Sequence, residues 1–278
     1  MMPPSDYRSI RVTIDGPVTR IVLDRPEVLN AIHTPMHHEL QHALDRFSAD
    51  PSQSVCVLTG AGDRAFCVGT DLKFAAAKIA EGKRDELAYP ANGYAGLIER
   101  FDLAKPLIAA VNGIAAGGGF EIVLACDIVL ASETASFGLP EAVVGAVAVG
   151  GGLHRLPRQI GSKRALGMLL TGEFVSAAQG LDFGFVNEVA PAGELDGVVD
   201  RWIAAMLRAS PFAMRATKEA VYAGLDRANL AEAIARQEEG AAYRAWMESD
   251  DRREGPAAFA QKREPAWRLE SPQDKGSK

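Results

Sequence analysis

The segment 107–131, LIAAVNGIAAGGGFEIVLACDIVLA, constrains this chain more than any other, because two apolar runs enclose a glycine triplet and the carboxylate of Glu121. Its apolar runs are too interrupted, by Asn112, Gly113, Gly117-Gly118-Gly119, Glu121 and Asp127, to approach the roughly 18 continuous apolar residues of a membrane span. It reads instead as core: a strand over 107–111 after Pro106, a helix opening at the glycines over 117–125, and another strand over 127–131.

The same alternation runs upstream. Residues 10–15 and 18–23 are short β-branched runs around Gly16-Pro17, which predicts a hairpin. Met36, Leu40, Ala43, Leu44 and Phe47 recur at helical spacing over 34–48, and 54–59 (SVCVLT) is a compact buried strand. The order predicts an α/β class. Beyond residue 194 no strand is evident, and 194–208, 212–225, 230–247 and 256–262 carry helical patterns, so 1–193 is expected to form the α/β core and 194–278 a helical region. No repeat of 20 to 50 residues is present, and the polar tail 271–278 is expected to fray.

With 278 residues, 47% hydrophobic and 24% charged, the chain can bury a full core without disulfides or metal. A net charge of −6 supplies no positive field for phosphate backbones or anionic lipid, which argues against nucleic-acid and membrane partners. Cys56, Cys67 and Cys126 are odd in number and set in apolar runs, as suits small buried thiols of a cytoplasmic protein. The first ten residues hold Pro3, Pro4, Asp6 and Arg8 and no apolar signal core, so the protein is expected to stay inside the cell.

His38-Glu39-Leu40-Gln41-His42 fits the zinc-peptidase pattern H-E-x-x-H. Helical phase opposes that reading. At roughly 100° per residue, Leu40 and Leu44 share the apolar face with Met36 and Phe47, while His38 and His42 fall on the far side, facing water. Outside this helix and its flanking His33, His154 is the remaining histidine, so a third ligand is wanting and no metal is expected. His154 itself reads as a helix-surface residue.

Three other constellations carry chemistry. After the 54–59 strand, the loop through Gly60, Gly62 and Gly69 to Thr70-Asp71-Leu72 can turn tightly and present a backbone N–H where a carbonyl oxygen gains negative charge. The glycine triplet at 117–119 permits close ligand approach and aims a helix N-terminus at a polarised oxygen. Neither a P-loop nor G-x-G-x-x-G is present, which disfavours a nucleotide cofactor. Glu121 lies within this apolar run and Glu141 in Phe137-Gly138-Leu139-Pro140-Glu141, twenty positions on. Two carboxylates in one apolar site would raise a pKa toward neutrality, as acid/base work wants; each alone could equally be a cap.

Together these segments resemble the crotonase superfamily, the enoyl-CoA hydratase/isomerase family, through nearly the whole chain. Arg25-Pro26 through Asn30-Ala31 is similar to its R-P-x-x-x-N-A segment, and Ala65-Phe66-Cys67-Val68-Gly69-Thr70-Asp71-Leu72-Lys73 to its A-F-x-x-G-x-D-L/I-K loop. Val111-Asn112-Gly113 through Gly119-Phe120-Glu121 resembles V-N-G-x-x-x-G-G-G-x-E, and Cys126-Asp127, Leu170-Thr171-Gly172, Gly184-Phe185-Val186-Asn187 and 255–267 follow in family order.

The resemblance implies a spiral of stacked β-β-α units with a C-terminal helical region that packs on a neighbour, giving a homotrimer or dimer of trimers. It implies an acyl-CoA thioester substrate, a hydratase reaction and no cofactor beyond the CoA of the substrate. The N–H groups of Thr70 and Gly118 would form the oxyanion hole. Val28, Ala31, Ala65 and Thr70, Asp71, Leu72 and Lys73 would line the CoA path. Glu121 would activate the water that attacks Cβ and Glu141 would protonate Cα; family isomerases keep the second alone.

Departures are local. The run 145–152 (GAVAVGGG) lacks a proline the family often has, Gly180 falls inside an expected helix at a cost of about 1 kcal/mol, and 78–95 matches no specificity pattern.

Overall fold

The computed structural model describes residues 7–267, so the polar tail 271–278 and most of the first ten residues lie outside the described residues. The hairpin is formed by β1 (Ile10–Asp15) and β2 (Val18–Leu23), with Ile10 opposite Leu23. Helix α1 (Thr34–Ala49) follows, and three turns of a spiral then repeat one unit. The first turn comprises β3 (Val55–Gly60), β4 (Ala65–Cys67) and α2 (Leu72–Ala80); the second, β5 (Leu107–Val111), β6 (Ile114–Ala116) and α3 (Gly118–Ala125). The third comprises β7 (Ile128–Ser132), β8 (Ser136–Gly138), a 3-10 turn at Pro140–Val144, α4 (Gly152–Ile160) and α5 (Ser162–Thr171). β9 (Val175–Ser176), α6 (Ala177–Phe183) and β10 (Glu188–Ala190) close the spiral.

Each turn places its first strand in a six-stranded sheet, ordered β1-β2-β3-β5-β7-β10, and its second in a smaller sheet, ordered β4-β6-β8-β9. The β-β-α repeat is therefore present as expected. The second strands go beyond the sequence reading, in which 60–72 is a loop and 112–116 carries no element: Ala65–Cys67 and Ile114–Ala116 are strands that pair in parallel with each other, and β6 pairs in turn with β8. Three-residue strands are too short to leave a periodic signal, and only the stacking of successive turns makes them pair.

One core lies between the sheets and under α1, whose Met36, Leu40, Ala43, Leu44 and Phe47 are buried as the pattern predicts. Phe120, Phe137 and Phe185 stack with centroids 5.1–5.3 Å apart and lock α3 onto β8. A second core forms on the outer face of the large sheet. There Leu195, Val199 and Ile203 of α7 (Leu195–Leu207) cover Val55, Val57, Ile108 and Leu130.

Beyond α7, α8 (Pro211–Leu225) is tied to the spiral: Lys218 Nζ donates to Asp127 Oδ2 at 2.7 Å and to the Lys105 carbonyl at 2.9 Å, and Tyr222 donates to Asp127 Oδ1. The helix expected over 230–247 is two helices, α9 (Leu230–Arg236) and α10 (Ala241–Glu248). The break occurs at Gly240 because the Glu219 carboxylate, from α8, accepts the N–H groups of Ala241 and Ala242 and starts a new helix there. The last helix, α11 (Asp251–Ala260), begins five residues before the expected 256 and contains Pro256. Gly180 now has its reason: a Cβ there would lie 2.8 Å from Phe185 Cζ and Val186 Cγ2.

Candidate active site

The loop at Thr70 is pinned from behind. Ile32 N–H donates to the Gly69 carbonyl at 2.8 Å and Asp71 N–H to the Ile32 carbonyl at 2.9 Å, a parallel bridge that turns the N–H of Thr70 itself away from Ile32. Gly69 has φ +88, and a Cβ on it would lie 2.9 Å from the Gly118 nitrogen. Only glycine lets the two segments approach this closely. Gly118 is the first residue of α3, where a helix offers its N–H no backbone acceptor. Its neighbour Gly119 packs against β4 so tightly that a Cβ would sit 2.0 Å from the Cys67 carbonyl oxygen. The structure thus brings Thr70 and Gly118 together, with the positive end of α3 between them.

Glu121, one turn into α3, is 4% exposed. Its Oε1 accepts the Gly152 N–H at 2.9 Å, and a Cβ on Gly150 would lie 2.1 Å from its Oε2. Burial raises its pKa to about 7, helped by the neighbouring Glu141 charge and opposed by the N–H groups of Gly152 and Gly150 and by Arg155. Glu141 stands on the 3-10 turn at Pro140–Val144. Its Oε1 is 3.2 Å from where a Cβ on Gly117 would be, its Oε2 has no hydrogen-bond partner among the described residues, and burial raises its pKa as well. Two carboxyl groups from different turns of the spiral thus face the opening of one helix.

The residues expected along a CoA path also assemble. Arg25 donates to the Ala31 carbonyl at 2.6 Å and to Asp71 Oδ2 at 3.0 Å. Asn30 donates to the carbonyls of Ala61 and Ala65. Val28, Ala31, Ala65 and Asp71 are therefore held as one unit, with the side chains of Ala31 and Ala65 buried and those of Thr70, Leu72 and Lys73 exposed. Asp71 uses its carboxylate inwardly, on Arg25 and on the Phe74 N–H as the cap of α2; this pairing and capping hold its pKa down against burial.

The H-E-x-x-H segment is otherwise engaged. His38 is exposed as its phase predicts, but His42 is half-buried and its Nδ1 pairs with the Tyr7 hydroxyl at 2.8 Å. Glu39 is buried, accepting the N–H groups of Arg8 and Ser9. The incoming chain covers this face, which helical phase alone leaves in water. Among the described residues no three His, Cys, Asp or Glu side chains converge as metal ligands, and Cys56, Cys67 and Cys126 are buried free thiols. His154 is exposed on α4.

Sequence reasoning missed several residues of the site. The run Gly150-Gly151-Gly152, noted as a departure, is what lets the backbone close on Glu121. Arg155 donates to the Ile98 carbonyl at 2.7 Å and faces Glu121. Tyr94, in the unread segment 78–95, lies against Gly118; the glycines at 93 and 96 that frame it were its only signal.

The chain is similar along nearly its whole length to known proteins. The family model described as enoyl-CoA hydratase/isomerase matches residues 13–270. Carnitinyl-CoA dehydratase of Proteus mirabilis is 41% identical over 263 residues, covering 94% of this chain and 98% of that one; the Salmonella enteritidis protein of the same name is 39% identical over 262. The crystal structure of enoyl-CoA hydratase from Bacillus anthracis superposes with a TM-score of 0.85 at 34% identity, over 95% of this chain and all of that one. That from Mycobacterium tuberculosis gives 0.84 at 32% identity, over 94% and 99%. With the spiral, the glycine-framed helix and the paired glutamates in place, the chain belongs to the enoyl-CoA hydratase/isomerase family of the crotonase superfamily.

Proposed function

We propose that this protein is a hydro-lyase that reversibly adds water across the double bond of a 2-enoyl-CoA thioester, using Glu121, Glu141 and a backbone oxyanion hole at Thr70 and Gly118, with no cofactor besides the CoA of the substrate. The observation that carries the reading is the glutamate pair, one buried and one half-buried carboxyl group, both with raised pKa, beside the N-terminus of α3. Coupled in this way, the pair retains a proton close to neutrality, so one member serves as base while the other serves as acid. In hydration the Glu121 carboxylate takes a proton from water as its oxygen bonds to Cβ. The π electrons move onto the thioester oxygen, where the N–H groups of Thr70 and Gly118 stabilise the enolate. The enolate then collapses as Cα takes the proton of the Glu141 carboxyl group.

The test follows loss of the enoyl-thioester ultraviolet absorbance with crotonyl-CoA and a longer 2-enoyl-CoA. Wild type should hydrate at least one, and Glu121→Gln and Glu141→Gln should each lose most of the rate. A Glu121→Gln variant that still moves a double bond, with Glu141 indispensable, points instead to isomerisation.

A second reading is favoured by the relatives named carnitinyl-CoA dehydratase. Near the glutamates, Tyr89 and Tyr94 stack edge-on around His37, whose pKa burial lowers to about 3. A neutral aromatic cluster of this kind suits a trimethylammonium group. A carnitinyl-CoA dehydration rate well above that of an uncharged 3-hydroxyacyl-CoA would establish it. The exposed apolar residues Val221, Leu225, Leu230 and Ile234 of α8 and α9 support assembly through the C-terminal helices into a trimer or dimer of trimers, which sedimentation would report.

A further inference from the structure

Tyr94 is held in place from several sides. It opens a three-residue 3-10 turn between Gly93 (φ 70) and Gly96 (φ 61), with Ala95 in the left-handed region at φ 57, a conformation that disfavours any side chain. The Ala95 N–H donates to His37 Nδ1 at 2.8 Å, and the Tyr94 ring meets His37 edge-on at 4.6 Å and Tyr89 at 5.8 Å. Gly96 packs directly on Gln41, where a Cβ would come within 2.5 Å of its Cα.

So fixed, the phenol is 4% exposed; the Thr70 side chain approaches its oxygen from the donor side, and its own proton meets no acceptor in hydrogen-bond geometry among the described residues. It lies beside the Thr70 side chain and on Gly118, where a Cβ would be 2.4 Å from Cζ and 2.5 Å from Oη. A buried hydroxyl left unpaired is destabilising relative to phenylalanine, so its partner is to be sought in what binds here. Burial holds its pKa far above the ordinary value, which keeps the proton on the oxygen.

We propose that the Tyr94 hydroxyl is a third donor to the thioester oxygen, adding a side-chain hydrogen bond to the two backbone N–H groups of Thr70 and Gly118. The inference rests on the proposed oxyanion hole and adds a catalytic residue to it. Because the enolate oxygen carries more charge than the thioester carbonyl, such a bond strengthens along the reaction and acts on kcat more than on binding. Because every acyl-CoA presents the same oxygen, the effect is independent of the acyl group.

The test compares the full-length wild type with Tyr94→Phe, which keeps the ring and removes the oxygen. The first readout needs no turnover: the 13C chemical shift of the thioester carbonyl in saturated butyryl-CoA, labelled at that carbon, when bound. Wild type should move the signal downfield. Tyr94→Phe should move it measurably less, bind within about threefold of wild type and melt at an equal or higher temperature. The second readout is kcat on crotonyl-CoA and on a longer 2-enoyl-CoA, which should fall on the order of tenfold to a hundredfold and equally for both.

A Tyr94→Phe variant with wild-type carbonyl shift, or with a rate loss confined to one acyl group, overturns the assignment to the thioester oxygen while leaving the backbone hole intact. If wild type binds butyryl-CoA without moving its carbonyl signal, or does not bind it, the oxyanion hole itself fails and Tyr94 with it.

Discussion

Replacing Glu121 by glutamine should make the protein more stable at alkaline pH while removing most of the hydration rate. The carboxyl group is 4% exposed, and its pKa rises from 4.5 to about 7, chiefly through burial. An acid with a raised folded-state pKa stabilises the fold least when ionised, so the penalty is absent below pH 4.5, builds up between 4.5 and 7 and is complete above. At about 1.4 kcal/mol per pKa unit, a shift of this size amounts to roughly 3 kcal/mol at pH 8 and under ~1 kcal/mol at pH 5. Glutamine keeps an oxygen for the Gly152 N–H but exchanges a charge-assisted hydrogen bond for a neutral one, which returns about 1 kcal/mol. The net gain is about 2 kcal/mol at pH 8, or roughly 4–8 °C in melting temperature for a chain of this size. Urea or thermal melts of both proteins from pH 5 to 8 would measure it. A difference that stays constant across that range, or a variant less stable than wild type at pH 8, would refute the assignment of the raised pKa to Glu121.

The pair of Glu121 and Glu141 should set the pH–rate profile: hydration needs one proton on the two carboxyl groups, so kcat/KM is expected to fall as the pH rises through an apparent pKa near 7, as initial rates from pH 5 to 9 would show. Gly150→Ala drives a methyl group to within 2.1 Å of Glu121 Oε2, so kcat should drop at least about tenfold with KM little changed, as steady-state kinetics would show. Arg25→Ala releases both the Ala31 carbonyl and the Asp71 carboxylate, so the effect should be the reverse, a KM for CoA thioesters higher by about tenfold and a kcat within a factor of three.

Much of this architecture is legible from periodicity and punctuation. The hairpin at Gly16-Pro17, the apolar face of α1, the buried strands of the large sheet and the helix opening at Gly117-Gly118-Gly119 all follow from local pattern, because each is long enough or glycine-marked enough to leave one. The pairing of Glu121 with Glu141 came from motif order, since twenty intervening positions carry no distance information. What stayed hidden depends on contacts between turns of the spiral. The three-residue strands β4, β6 and β8 exist because neighbouring turns stack, and the break at Gly240 arises because Glu219 reaches it from another helix.

The amino-acid sequence by itself determined the alternation of elements, the glycine-framed turn and the carboxylates available for chemistry, because these depend on residues close in the chain. Only the tertiary structure decided that Gly150 and Gly152 would wrap Glu121, that burial would raise its pKa against their N–H groups, that Glu39 would serve the chain start rather than a metal, and that the tyrosine hydroxyl would stand over Gly118. Burial and the identity of a hydrogen-bond partner are properties of surfaces brought together from distant segments, and no local pattern encodes them.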